Sequence, residues 1–488
     1  MAVIRFISQS MVPFFVYLAA SVALVADLYV GSNPVSSVWT TIAHAASAPF
    51  LSMKDASRMP KAEARSVLRD KDRVVELLKA EGGKDVFNLL RRRVSNGMVV
   101  FLDKVKLDNA DLQGINLTAA KLHWSKIRET DFSGAKLLGA YLFHCHCHHS
   151  DFSDADLRPL EGQRTVLGYS YLNGANFTNA NLEQVDLIQA SLVEAIFDGA
   201  EIGMVDARSS KWPYASLRGV TSESGPIDMQ GSIGAYADLT DASLNGVNLR
   251  NSVLANANLT RADLSNANLQ SAEMRGVTVD RTNFGHANMH NVILYHTDLR
   301  TANMRGVDLT DAGLLGVNAS GVNFGDARLN LINADFANFS GANLSGVSLH
   351  DAALIGTDLS GAVLEGADLS DANLQGANLA EANLRDVDFS GANLIGADFT
   401  GADLSGAILE GAAIDDSTLK SRSTGTASPL RQDGAMFVLA GANRRSDKGV
   451  RPRNEINLPD HNLEALRARA FSPSDSLGKA KLIIEMSQ

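Results

Sequence analysis

The sequence predicts an all-β solenoid, and three observations carry that prediction. A five-residue unit repeats without a gap from Ala237 to Leu419, as in Gly366-Ala367-Asp368-Leu369-Ser370-Asp371-Ala372-Asn373-Leu374. Every fifth residue from Leu239 to Leu419, 37 positions in all, is Leu, Ile, Val, Met, Phe or Ala. Two residues earlier stands Ala, Val, Ser, Thr or Ile, and the residue between is Asn or Asp in 24 of the 37 units. No α-helix accounts for this, because a period of five walks the apolar residues around a 3.6-residue turn. A coil does account for it if each unit is one side: the central residue and the small residue two before it point inward, and the others face water. A turn at each unit suits the frequent Gly two residues after the centre and the Asn or Asp before it.

Residues one coil apart should stack. Phe132 and Phe152 are 20 residues apart, as are Phe177 and Phe197, which predicts four units per coil and stacked rings. At 20 residues per coil the 37 units make slightly over nine coils, a rod of about 45 Å at a strand spacing of about 4.8 Å. The predicted core of the most regular stretch is Leu369, Leu374, Leu379, Leu384, Phe389 and Leu394.

This Ala-(Asp/Asn)-Leu-x-x unit resembles the pentapeptide-repeat family. The resemblance implies a right-handed quadrilateral β-helix, with Asn and Asp side chains bonding turn backbone. It also implies a short helical cap before the first coil, for which Val86-Phe87-Asn88-Leu89-Leu90-Arg91 is the matching stretch.

In chain order, residues 1–30 hold Arg5 and an apolar run from Met11 to Ala26, interrupted by Ser21; extended back to Phe6 the segment is 21 residues, close to the roughly 20 that span a bilayer. Three readings stand: an uncleaved apolar transmembrane helix, a signal peptide with a small-residue site at Ala43-His44-Ala45, or a buried segment outside any membrane. No Lys or Arg occurs from Phe6 to Met53, so Arg5 sets the orientation and the rest of the chain is expected outside the cytoplasm. Residues 31–60 read as a linker, and 61–104 as a helical cap of two short amphipathic helices broken at Gly82-Gly83. A first repeat section covers 105–217, weakening at Arg158 to Val166 and around Ala207, Trp212 and Leu217. The 22-residue gap between Leu217 and Leu239 places a joint or loop at 218–236. The second section is 237–419, and 420–488 reads as a flexible tail with one short helix at Asn462 to Phe471.

The net charge of −11 hides an asymmetry. Ala237 to Leu419 holds 23 acidic residues against 8 Arg, whereas Lys54 to Lys106 holds 14 basic against 8 acidic. The cluster His144-Cys145-His146-Cys147-His148-His149 is the one metal candidate. The repeat phase sends Cys145 and Cys147 inward as small hydrophobes and leaves His144, His146, His148 and His149 on the outside, where surface metal binding competes with plain solvation. Calcium loops of the Gly-Gly-x-Gly-x-Asp kind are absent from the sequence, as are the signatures of nucleophilic hydrolases, phosphate-binding loops, zinc proteases and dinucleotide folds. No catalytic residue and no cofactor is therefore predicted.

The expected function is a non-enzymatic rod that binds partner proteins, tethered to or exported across a bacterial membrane. Direct nucleic-acid binding is not expected. The resemblance adds alternatives: an acidic DNA mimic that binds a topoisomerase such as gyrase, suggested by 14 acidic residues against Arg385 alone in Asn330 to Leu419, or an exported effector, and it leaves open a homodimer.

Overall fold

In a computed structural model of the chain, residues 51–94, 98–415, 418 and 438–439 are described. The expected apolar helix at Phe6 to Ala26 and the helix at Asn462 to Phe471 lie outside them. The described part divides into a helical unit ending at Val94 and a second unit beginning at Ser95.

The helical unit holds four helices, α1 (Met53–Arg58), α2 (Lys61–Arg69), α3 (Lys71–Lys79) and α4 (Gly83–Arg93). Two helices were expected from 61 onward, and the extra break falls at Asp70. Its carboxylate caps α3 by accepting from the Arg73 N–H at 3.1 Å, so the residue that ends α2 also starts α3. The break at Gly82-Gly83 forms as expected: Gly82 is left-handed, and any Cβ on Gly83 would collide with the Leu77 carbonyl. The apolar faces of α2, α3 and α4 meet through Val67, Leu68, Val74, Leu77, Val86, Phe87 and Leu90, all buried. The Arg93 guanidinium donates to the carbonyls of Ser57 and Met59 at 2.6 and 2.9 Å, completing the C-terminal end of α1. Arg91 is buried, and desolvation pulls its pKa down to about 10.

The second unit is a four-sided β-helix. Each side contributes one bridging residue, the position just before the centre, and parallel partners stand 20 residues apart, as in Lys106 with Lys126 and Asn373 with Asn393. The hydrogen bonds follow one rule. The N–H of a central residue donates to the carbonyl of the next coil's bridging residue, as Leu107 to Lys126 at 2.8 Å, and the next coil's N–H returns to Val105 at 2.8 Å. At each corner a β-turn closes, as Ala110 N–H to Leu107 carbonyl at 3.2 Å, and its third residue takes a positive φ. Walls one or two residues wide explain why regular strands are nearly absent among the described residues; β1 (Ala413–Ile414) pairs in parallel with β2 (Val438–Leu439).

The ladder from Phe101 to Ile408 runs through fifteen steps, about 70 Å. It crosses both irregular stretches without a break. The weak repeats after Arg158 are a five-residue insertion, since Tyr141 pairs with Val166, and the extra loop closes on itself through Leu160 and Gln163. Of the two readings of 218–236, a joint or a loop, the pairing fits the loop: Asp206 pairs with Asp228 and Lys211 with Ile233, so the phase shift is a two-residue insertion at one corner of a continuous solenoid. A corner loop can grow outward without disturbing the walls, which is why the ladder survives it.

The core is apolar and stacked in columns. Leu369, Leu374, Leu379, Leu384, Phe389 and Leu394 are all buried. Phe132, Phe152, Phe177 and Phe197 form one column with centroids 5.0, 5.0 and 4.9 Å apart and planes within 8°. Trp212, in a unit that looks degenerate in sequence, occupies a central position and is fully buried because the next coil places Gly234 above it, where a Cβ would strike the indole.

Replacing Phe152 by Ala removes the middle of the column and leaves a void that flat walls cannot collapse to fill. Urea unfolding of the variant is expected to show a loss of about 3–5 kcal/mol. Gly234→Val should be comparably damaging, because it collides with Trp212.

Candidate interaction faces

The sides of the solenoid differ in what they present. On three sides, those of Asp228–Asn248–Asn268, of Asp238–Asn258–Asn378 and of Asp263–Asn283–Asn303, the bridging position is mostly Asn or Asp. Their side chains are committed twice. Each accepts from the N–H two residues on, as Thr260 to Asn258 at 3.1 Å and Ser265 to Asp263 at 3.0 Å. Along the rod they join coil to coil, as Asn283 to Asp263 at 2.8 Å and Asn378 to Asp358 at 3.0 Å. These bonds place the Asx residues in turn and ladder structure, the local competition that favours Asx in turns.

Several arginines are spent in the same way. Arg128 binds Asp108, Arg208 binds Asp206 and Arg300 binds Asp298, at 3.0, 2.7 and 2.8 Å. The Arg208 and Asp206 pairing lifts the guanidinium above its usual range, while Arg300 holds Asp298 below the usual carboxylate range. Beyond residue 330, Arg385 stands 3.9 Å from Asp403 amid an acidic surface.

The side that runs through Ile233, Val253, Ala353, Asn373 and Asn393 is different. From Asn333 to Ile395 its bridging and following positions hold one charge, Asp335. Eleven large apolar side chains are exposed among the described residues, and six of them sit on this side or its two bounding edges: Trp124, Tyr169, Tyr171, Tyr236, Leu331 and Phe336. Trp124, Tyr169, Tyr236, Leu331 and Phe336 hold φ between 57 and 62°, a left-handed backbone that costs a bulky residue about 1–3 kcal/mol.

The histidine cluster opens around the coil instead of converging. His144 turns to one edge and stacks on Trp124 at 4.1 Å and 16°. His146 and His148 share a side with centroids 6.4 Å apart, each against Tyr171. His149 lies at the opposite edge over Gly174. Among the described residues no three His, Cys, Asp or Glu side chains are arranged to hold a metal ion. Cys145 and Cys147 both point inward and are fully buried, as the phase requires, but they do not act as separate hydrophobes: they are joined in a disulfide across two residues of one wall. The repeat phase places both thiols in one interior, but it carries no record of whether they are bonded.

Burial lowers the pKa of both His146 and His148; Lys126 and Arg128 add to it at His146, and His146 and His149 at His148. The unfolded chain therefore takes up protons at these two sites more readily than the folded one, and their contribution favours folding above pH about 6.5 and fades as pH falls below it. Melting temperature should drop between pH 7.5 and 5.5, and a His146→Gln, His148→Gln variant should show a smaller drop.

The sequence description "pentapeptide repeats" matches eight segments: 102–134, 125–158, 166–202, 235–270, 272–311, 312–351, 348–386 and 382–420. Solved structures similar to the chain include a pentapeptide-repeat protein of the Arabidopsis thaliana thylakoid lumen, 32% identical over 22% of this chain and 70% of that one, TM-score 0.20. HetL, involved in heterocyst differentiation regulation in the cyanobacterium Nostoc, is 28% identical over 59% and 88%, TM-score 0.14. QnrB1, a plasmid-mediated fluoroquinolone-resistance protein, is 19% identical over 41% and 87%, TM-score 0.25. No curated protein sequence matches the chain significantly.

Proposed function

Because the chain belongs to the pentapeptide-repeat family and its coils form that family's right-handed quadrilateral β-helix, we propose that it is a non-enzymatic interaction rod. It binds partner proteins along the side of Ile233, Val253 and Ala353, and it is tethered to a membrane or exported by its N-terminal segment. The observation that carries this reading is the concentration of exposed aromatic and apolar side chains on that side and its edges, five of them held at a backbone cost that burial within the chain does not offset. Aromatic anchors on an otherwise polar surface are what protein interfaces use.

The export half of the proposal is supported by the apolar run at Phe6 to Ala26 and by the buried disulfide, a bond that persists in oxidising compartments. Among the described residues no helix is long and apolar enough to cross a membrane.

A second reading, an acidic mimic of DNA that binds a topoisomerase, is favoured by one observation, the 14 acidic residues against one Arg from Asn330 to Leu419. It requires a cytoplasmic rod. Protease treatment of intact and opened cells carrying a C-terminally tagged chain, with and without residues 1–50, decides between the two. Digestion from outside, or release of a shortened chain, is expected; a rod protected in the cytoplasm of intact cells overturns the exported reading and calls for a gyrase supercoiling assay. Where a partner is captured, Tyr236→Asp with Phe336→Asp should cut capture at least tenfold, read by quantitative pull-down, with the melting temperature lowered by no more than a few degrees.

A further inference from the structure

The first four coils share a corner unlike the rest of the rod. It lies between the side of Phe101, Lys121 and Tyr141 and the side of Lys106, Lys126 and His146. The two bridging columns and the two turn columns between them hold sixteen outward residues from Phe101 to Tyr171: four Lys, six Phe, Tyr or Trp, three His, Val166, Gly168 and one acid, Asp103. Aromatics are 6% of the chain, so this composition is local and not imposed by the repeat. Phe101 and Trp124 are 54% and 50% exposed, and Tyr169 and Tyr171 39% each. An exposed apolar patch of this kind marks a binding surface.

The charges leave cations free. Asp103 stands 2.6 Å from Nδ1 of His123. Beside the corner, Arg128 closes on Asp108 through Nε and Nη2, at 3.1 and 3.0 Å. Lys104, Lys106 and Lys126 close on no carboxylate among the described residues, and with the Trp124 indole they line a recess of about 640 Å³. Burial, then Lys126 and Arg128, lower the pKa of His146, which registers the positive field. The free donors are thus ammonium groups without a guanidinium fork, suited to the several oxygens of a phosphate more than to a carboxylate. The rings stack along the coils, Trp124 on His144 at 4.1 Å and 16°, Tyr171 on His146 at 5.0 Å and 22°. Rings stacked in this way turn edges outward and keep faces for one another, which does not suit a platform for bases.

We infer that this corner, from Phe101 to Tyr171, docks on an anionic phospholipid surface. Lys104, Lys106 and Lys126 take the headgroup phosphates, and Phe101, Trp124, Tyr169 and Tyr171 enter the headgroup layer, where amphipathic rings are favoured. Contact is confined to about 14 Å of the rod, three coil spacings. Further along the same corner stand Arg208, paired with Asp206, then Arg250, His290 and His350, but also Asp311, Asp351, Asp371 and Glu410, an acidic end that such a surface repels. The inference rests on the reading of the chain as tethered, since the apolar run at Phe6 to Ala26 holds the first coils near lipid. It divides the partner side: the coils up to Tyr171 meet the membrane, and Tyr236, Leu331 and Phe336 remain for proteins.

The test uses the full chain with vesicles of phosphatidylcholine, with or without about 30% phosphatidylglycerol. The two cysteines of the chain are bonded and buried, so a Tyr169→Cys variant takes a fluorophore at one place. Lipid with a nitroxide headgroup should quench that label in the anionic vesicles at least threefold more than in the neutral ones, and should leave a label at Asp371→Cys unquenched. Lys104→Gln, Lys106→Gln and Lys126→Gln together should weaken docking about a hundredfold, about fivefold for each lysine, with the melting temperature within a few degrees of the parent. Raising NaCl from 50 mM to 500 mM should weaken it as well. Quenching that ignores phosphatidylglycerol, survives the triple variant or reaches Asp371→Cys equally would overturn the docking surface. So would lysine-dependent binding of a single-stranded oligonucleotide without lipid-dependent quenching, which gives the corner to a soluble polyanion. Flotation with neutral vesicles reads the tether separately. A chain that floats with them but shows no charge-dependent quenching sinks the docking alone; one that floats only with phosphatidylglycerol and intact lysines sinks the tether alone.

Discussion

The structure depends on the stacking of coils at one strand spacing. Each central N–H must reach a carbonyl of the next coil while two side chains per side fill a narrow interior. Under that constraint every position meets its own kind above and below. Columns of Leu, Ala and Phe satisfy it easily, and the phenyl column from Phe132 to Phe197 shows how far identical residues can stack. A residue too large for its column needs a gap one coil away, which Gly234 supplies for Trp212. The same rule confines insertions to corners, where Arg164 and Glu223 lie in extra chain that leaves the ladder intact.

The constraint also consumes most of the surface chemistry. An Asn or Asp at the bridging position looks like a ligand in isolation, yet its oxygen accepts from the turn and its neighbours bond along the ladder. Arginines close on aspartates of their own or the adjoining coil. What the fold does not consume is concentrated at the corners, whose third turn residue needs a positive φ. Gly and Asn meet that need without strain, so a Trp, Leu or Phe there marks a place where the side chain matters more than the turn.

The histidine and cysteine cluster shows what the alternation of a wall does to a sequence motif. Six consecutive ligand-type residues look like a metal centre when read as a string. The coil sends two inward, where they close a disulfide, and distributes the other four over a side and two edges. Cationic neighbours at Lys126 and Arg128 make the side less welcoming to a metal cation and more to an anion.

The sequence by itself determined the solenoid, the four sides per coil and the identity of the core, because period, inward pair and 20-residue stacking are all written in local order. It also determined the inward direction of Cys145 and Cys147. Only the tertiary structure decided that the phase shift before Leu239 is a corner insertion and not a joint, since that depends on which residues pair across coils. It likewise decided that Asp70 splits a helix, that the cysteines are bonded, and that Phe101, Trp124 and Tyr171 gather around one corner. Those facts relate residues far apart in the chain or side chains on the same wall, and a five-residue repeat carries no record of either until the coils are stacked.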